Sequence, residues 1–415
     1  MDLHLFYGSA PGRWLPACAA CCLYLAQVAA FAQTLPLDGR DGRSLLLENF
    51  RPKPMLKVPE HVLSRAKFPV VDIHTHFRNK FRGSAEELAR WVELMDRNQI
   101  AVCVSLDGQW GELLDEHAKL LWTKYRDRFA IFANIDWQGG GKADDQATWD
   151  CQRPDFARRV GEELARAKEH GACGVKIFKQ FGLEYKNADG SLLKIDDPRW
   201  DAIWEACGRL GLPVLIHVAD PAAFFLPIDE TNERWEELHR RPDWSFFGPQ
   251  FPKREDLLAA LLRVCQRHRA TTFISAHVAS NAEDLATVGH WLDENPNLYV
   301  ELASRIAELG RQPVSAKRFL IKYQDRVLFG TDGPWPEERV RLYWRFLETA
   351  DENFHYSERP FPPQGFWNIY GVELPDETLR RLYHTNAMQI IPGIRERVER
   401  YQANQPRQSP TTGPR

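Results

Sequence analysis

The stretch Val70-Val71-Asp72-Ile73-His74-Thr75-His76-Phe77 sets a carboxyl group and two imidazoles on alternate positions of an otherwise apolar, β-branched run. Side chains two apart on a strand point the same way, roughly 6–7 Å from each other. Groups of the same kind fall late in other apolar runs. "LPVLIHVAD" carries His217 and ends at Asp220, "TTFISAHVAS" carries His277, and "RVLFGTDGPW" brings Asp332 before Gly333 and Pro334. "CGVKIFKQFG" holds Lys176 in mid-run. Taken singly, each has a plain explanation. A strand histidine is usually a hydrogen-bonded core residue, Asp332 before Gly-Pro can organise a turn, and Asp72 can orient a backbone group. Together they are harder to dismiss, because several buried imidazoles and carboxylates left unpaired cost several kcal/mol. A shared divalent cation satisfies them, and neutral imidazole with carboxylate suits zinc and, less selectively, manganese or iron.

The elements that must position these groups are legible as an alternation. Strand-like runs at 68–76, 100–106, 129–136, 172–178, 212–219, 271–278, 297–303 and 326–331 are separated by amphipathic segments. The latter include "SAEELARWVELMDRN", "DFARRVGEELARAKEHG", "DPRWDAIWEACGRLG" and "KREDLLAALLRVCQRH". Ser84 with Glu87 three residues on is a capping-box pattern. Short, continuously apolar strands covered by helices are parallel strands, and eight of them favour an α/β fold closed as a (β/α)₈ barrel. The G-x-G-x-x-G phosphate loop of dinucleotide folds is absent after the first strand. In such a barrel the C-terminal strand ends converge on one face, so His74, His76, His217, His277 and Asp332 meet in one small volume.

The rest of the chain frames this barrel. Its 415 residues carry a net charge of −3, with no basic excess for nucleic acid. Residues 14–32, nearly free of charge and ending Ala30-Phe31-Ala32, read as a secretory signal peptide cut after Ala32, which places the mature protein in the periplasm or outside the cell. No stable membrane span then remains. A polar lead-in (33–67) precedes the barrel (68–398), and a tail (399–415) poor in apolar residues is expected to be disordered. Five cysteines remain beyond residue 32 without paired spacing, which indicates no disulfide scaffold. The connection 221–254, rich in aromatics and proline, is long enough to be a lid or a substrate-binding segment. An exposed aromatic loop also permits a homodimer.

"VDIHTHF", "GVKIF", "LPVLIH", "FISAHVA" and "RVLFGTDGPW" resemble the amidohydrolase superfamily, closest to its amidohydrolase-related branch of aminocarboxymuconate-semialdehyde decarboxylase-like enzymes. The resemblance covers about residues 68–392, including a late "YHTNAMQII" segment. It implies a distorted TIM barrel with a metal centre of one, sometimes two, divalent ions, zinc before manganese. His74 and His76 match its His-x-His ligands, His217 its strand-five ligand and Asp332 its strand-eight carboxylate. His277 matches a histidine that sits beside the metal as a catalytic group. Lys176 matches a lysine that is carboxylated in binuclear relatives; an uncharged or salt-bridged barrel lysine is the preferred reading here.

The expected activity is that of a metal-dependent hydrolase cleaving an amide, ester or lactone bond of a small organic acid or aromatic substrate. A cation lowers the pKa of bound water towards about 7. Asp332 would accept that proton and return it to the leaving group, while His277 polarises the scissile carbonyl or steadies the developing oxyanion. Arg78 and Lys176 are candidates for holding a substrate anion, and Trp235 and Trp244 for closing over an apolar substrate. Glu301 and Arg305 are expected either to support the site or to form an internal salt bridge. The alternative reaction is nonoxidative decarboxylation of an aromatic or unsaturated carboxylic acid at the same cluster.

Overall fold

The computed structural model describes residues 44–46, 49–50, 52–81, 83–357 and 364–405. The expected signal peptide lies outside the described residues. Two compact units divide the chain at residue 56, and the second, 57–415, carries the fold.

Apolar, β-branched runs form the strands β1 (Val70–Thr75), β2 (Ile100–Ser105), β3 in two runs (Phe129–Ile131 and Ala133–Asn134), β4 (Val175–Ile177), β5 (Val214–Ile216), β6 (Phe273–Ser275), β7 (Leu298–Glu301) and β8 (Val327–Leu328). Every neighbouring pair is parallel. The ladder is broken at Phe132, where one run of β3 pairs with β2 and the other with β4. The backbone nevertheless continues across the break: Phe132 N donates to Ser105 O (2.9 Å) and Ala133 N to Gly174 O (2.9 Å). Gly174 has to be glycine, since a Cβ there would lie 2.4 Å from the Phe132 ring. A second seam joins the last strand to the first. Ile73 N donates to Phe329 O, Asp332 N to His74 O and His76 N to Gly333 O, and Thr75 bridges Gly333 in parallel. Eight strand positions therefore run round a ring, as a TIM barrel requires.

Helices α1 (Ala85–Arg97), α2 (Glu112–Tyr125), α3 (Phe156–Glu169), α4 (Asp201–Leu210), α5 (Arg254–Arg267), α6 (Leu285–Glu294), α7 (Pro313–Lys322) and α8 (Glu337–Glu348) follow successive strands. Each buries one apolar stripe, as Leu88, Trp91, Val92 and Met95 do on α1. Ser84 caps α1 by accepting from Glu87 N. Gly211 ends α4 in the left-handed conformation that glycine adopts without steric cost. A closing helix, α9 (Ile394–Asn404), runs on beyond residue 398, the boundary drawn from the sequence. Val398 and Tyr401 are buried there, so the start of the expected tail is helix rather than disordered chain; residues 406–415 are outside the described set.

The long connection 221–254 folds into short turns and a helix, Trp235–Arg240, and is pinned down. Arg234, 1% exposed, pairs with Glu308 and Glu237, and Arg311 grips Glu233 through both guanidinium nitrogens at 2.7 Å. No helix among the described residues is long and apolar enough to cross a membrane.

Candidate metal centre

The two histidines of β1 are each held from behind. His74 Nδ1 lies 3.0 Å from Glu301 Oε1, and His76 Nδ1 lies 2.6 Å from Asp107 Oδ1. Both carboxylates are buried, Glu301 fully and Asp107 to 1% exposure. A carboxylate accepts, so each Nδ1 carries the hydrogen and each Nε2 presents its lone pair on the other side. Those two Nε2 atoms stand 3.2 Å apart, with Asp332 Oδ1 at 3.5 Å from the first and 3.2 Å from the second. Three acceptor atoms thus face one another across a point where only positive charge satisfies them all. Ligand atoms bound at 2.0–2.1 Å to one tetrahedral ion stand about 3.3 Å apart, and the observed separations match. A carboxylate behind each histidine is also the arrangement that orients metal-binding imidazoles. The donor set fits a divalent ion.

The rest of the cluster is built by backbone held in uncommon conformations. Asp332 has a φ of 64° and Ser304 of 54°, and Ser304 Oγ donates to Asp332 Oδ2 (3.2 Å). His277, Val278, Ala279 and Ser280 all have φ between 51° and 59°, a left-handed turn of non-glycine residues. Such backbone costs about 1–2 kcal/mol per residue, and the surroundings hold it in place. His277 N donates to Glu301 Oε1 (2.7 Å), and Arg254 of α5 donates to Ser280 O, to Asn281 Oδ1 and to Asp220 O. Asp72 accepts from Thr331 Oγ1, Thr331 N and His74 N, tying β1 to the end of β8. Burial pushes its carboxyl up to about 7 against those bonds.

Electrostatics follow the same layout. Burial, with the nearby Lys176 charge, drives His74 well below its usual range. His76 is raised despite burial, because Asp107 and Asp332 favour its charged form. Asp332, its side chain 32% exposed, is held well below the carboxylate range, against desolvation, by His76 and the neighbouring imidazoles.

The sequence profile of the family described as Amidohydrolase matches residues 71–392. The chain belongs to that family. This amidohydrolase is an enzyme of a metal-dependent superfamily. Among solved structures it is similar to 2,6-dihydroxybenzoate decarboxylase complexed with 2,6-dihydroxybenzoate, at 16% identity over 79% of this chain and 99% of the other, TM-score 0.48. It is likewise similar to a dihydroxybenzoic acid decarboxylase from Polaromonas sp. JS666 with bound manganese and 2-nitroresorcinol (16%, 82% and 98%, TM-score 0.47). A third is 4-oxalomesaconate hydratase from Rhodopseudomonas palustris (13%, 80% and 98%, TM-score 0.46). Among curated proteins, none matches the sequence.

The other residues expected at the site of this amidohydrolase are placed as follows. His217 lies beside the three-atom cluster, its ring 4.5 Å from that of His277, with Nε2 3.0 Å from Ala219 O and 3.4 Å from Asp220 Oδ1. Asp220 is paired with Lys179 as well. His277 Nδ1 donates to Ala303 O (2.7 Å), so the neutral ring presents a lone pair at Nε2. Steadying an oxyanion, the role expected from the sequence, would require the doubly protonated ring, and burial opposes that form. Lys176 is 2% exposed and its ammonium has no hydrogen-bond partner; burial pulls its pKa down to about 8. Arg78 donates to Leu113 O, at 3.4 Å. Trp235, 38% exposed, stacks on His239, and Trp244 packs on Phe224 and Arg241, so their contacts are within the long connection itself. Glu301 and Arg305 form no salt bridge: Glu301 serves His74 and His277, while Arg305 donates to Ser304 O. Asp107, Arg254 and Lys80, whose ammonium donates to Asp332 O (3.0 Å), were not anticipated. Asp107 had a signal, since it stands just past the end of β2 as the other polar groups stand past theirs.

Glu301→Gln should weaken metal affinity about 10- to 100-fold, because an amide no longer fixes the His74 tautomer by charge. Chelator competition on the purified protein reads this directly, and unchanged affinity would contradict the role given to Glu301.

Proposed function

We propose that this amidohydrolase is a hydrolase using one divalent ion, zinc before manganese, to cleave an amide, ester or lactone bond of a small organic acid or aromatic substrate. One observation carries the reading: the lone pairs of His74 Nε2 and His76 Nε2 and the Asp332 Oδ1 atom converge within 3.5 Å, with the histidine tautomers fixed from behind. When bound, the ion supplies Lewis acidity, polarising an oxygen and easing proton loss from water. His74, His76 and Asp332 would hold it, with His217 as the fourth proposed ligand through Nδ1, since its Nε2 donates to Ala219 O. Asp332, steadied on one oxygen by Ser304, takes up the proton released on attack and passes it to the leaving group. Arg78 and Lys176 hold an anionic group of the substrate.

Decarboxylation is the second reading, favoured by Lys176, whose buried, unpartnered ammonium suits a substrate carboxylate held deep in the barrel. Metal-replete protein assayed against esters, lactones and amides, and in parallel against hydroxybenzoates, separates the two. Acid release without carbon dioxide is the expected outcome. Carbon dioxide release with no hydrolysis of the other panel would sink the hydrolase reading.

A further inference from the structure

On the C-terminal ends of β2 and β3 lies a cavity of about 380 Å³. Gln109 and Trp110 enter it from the loop after β2, Asn134, Asp136 and Trp137 from the end of β3, and Tyr185 from the segment after β4. The first of these loops also delivers Asp107 to His76, two residues before Gln109. One loop thus serves both the cavity and the histidine cluster, and Arg78, on the segment after β1, donates to Leu113 O, a residue of the cavity wall.

Its walls are aromatic and rigid. Trp137, 7% exposed, is stacked on Phe181 at 4.2 Å and set edge-on to Trp200. Asn134 is fully engaged, its amide donating to Leu106 O and its oxygen accepting from Gln109 N. Other polar atoms are not engaged. Among the described residues, the Tyr185 hydroxyl, the indole N–H groups of Trp110 and Trp137, Gln109 Oε1 and Asp136 Oδ2 have no protein partner, whereas Asp136 Oδ1 is occupied by Gln138 N and Gly139 N. Among the described residues that line the cavity there is no lysine or arginine.

These features select a ligand class. A carboxylate or phosphate finds no cation among the described lining residues and meets Asp136. A plain hydrocarbon ring strips water from donors and acceptors without replacing it, which is unfavourable at each group. A neutral ring bearing several hydroxyls pairs with both kinds of group, and its C–H face packs on the aromatic walls.

We propose that this cavity is a subsite for a neutral, polyhydroxylated ring, a pyranose or a cyclitol, forming the portion of the substrate remote from the reacting bond. The proposal rests on the histidine cluster being the reacting centre, which gives the substrate an anionic or carbonyl end there and an uncharged end here.

The test is direct binding to the metal-replete protein, by ligand-observed NMR and tryptophan fluorescence. The probes are methyl β-glucopyranoside and myo-inositol, with cyclohexanol and benzoate as controls. At least one hydroxylated ring should bind saturably, and neither control should displace it. Trp110→Ala should abolish binding, and Tyr185→Phe, which removes one oxygen and leaves the packing intact, should weaken it about three- to tenfold. Absence of saturable binding by both rings, displacement by cyclohexanol or benzoate, or undiminished binding in both variants overturns the proposal. His74→Ala separates this from the catalytic reading: it should lose activity and keep ring binding. An active His74→Ala protein would refute the centre and leave the cavity to be judged by the ring titration alone.

Discussion

His74→Ala is expected to purify without its divalent ion and to lose at least about a thousandfold in kcat/KM, the scale set by removing a metal-assisted pathway. The substitution removes one of three converging acceptors and leaves Glu301, buried in β7, with only backbone donors at His277 and Ala303. Elemental analysis of wild type and variant, paired with a thermal melt, separates loss of the ion from loss of the fold. About one equivalent of metal in wild type, little in the variant and similar melting cooperativity make up the expected pattern. A variant that holds a full equivalent and turns over normally would remove His74 from the centre.

Asp332→Asn should act on the other limb of the mechanism. The amide keeps the size of the side chain and a bond to Ser304 while losing the charge and the proton affinity of a carboxylate. If Asp332 moves the proton, kcat falls about 10²- to 10⁴-fold and KM changes far less, because His74, His76 and the substrate-binding groups remain. Steady-state kinetics on protein reconstituted to equal metal content reads the split. A loss confined to KM, or a kcat within a few-fold of wild type, would leave Asp332 as a ligand only.

Both predictions concern residues that the sequence exposes, and the reason is physical. A strand buried on both faces has no use for polar side chains, so His74, His76, His217, His277 and Asp332 stand out against the apolar runs that carry them. The eight runs foretell eight strands for the same reason. Their lengths are less legible: β6 ends at Ser275, not at 278, because the chain turns left-handed at His277, and nothing in "SAHVAS" announces four successive positive φ values. The partners behind the ligands are harder still. That Glu301 faces His74, and Asp107 faces His76, depends on pairing across the ring, which no local pattern encodes. Trp235 and Trp244 mark the opposite failure. Their composition suits a lid, but Arg234, Glu308 and Arg311 clamp the connection and commit those rings to its own packing.

The seam between β8 and β1 has a consequence for the life of the chain in the cell. Asp72 and Thr331 meet across 259 positions, and Asp332 closes onto His74 beside them. A ribosome delivers the two histidines early and the carboxylate late, after nearly all of the barrel has emerged. During synthesis the early segments therefore carry two of the three converging acceptor atoms, and the third comes from the end of the last strand. A nascent or truncated chain lacking residues beyond about 330 has no Asp332 to complete the cluster, whatever else it has folded. The three-atom cluster is complete only when translation has supplied the strand that shuts the ring.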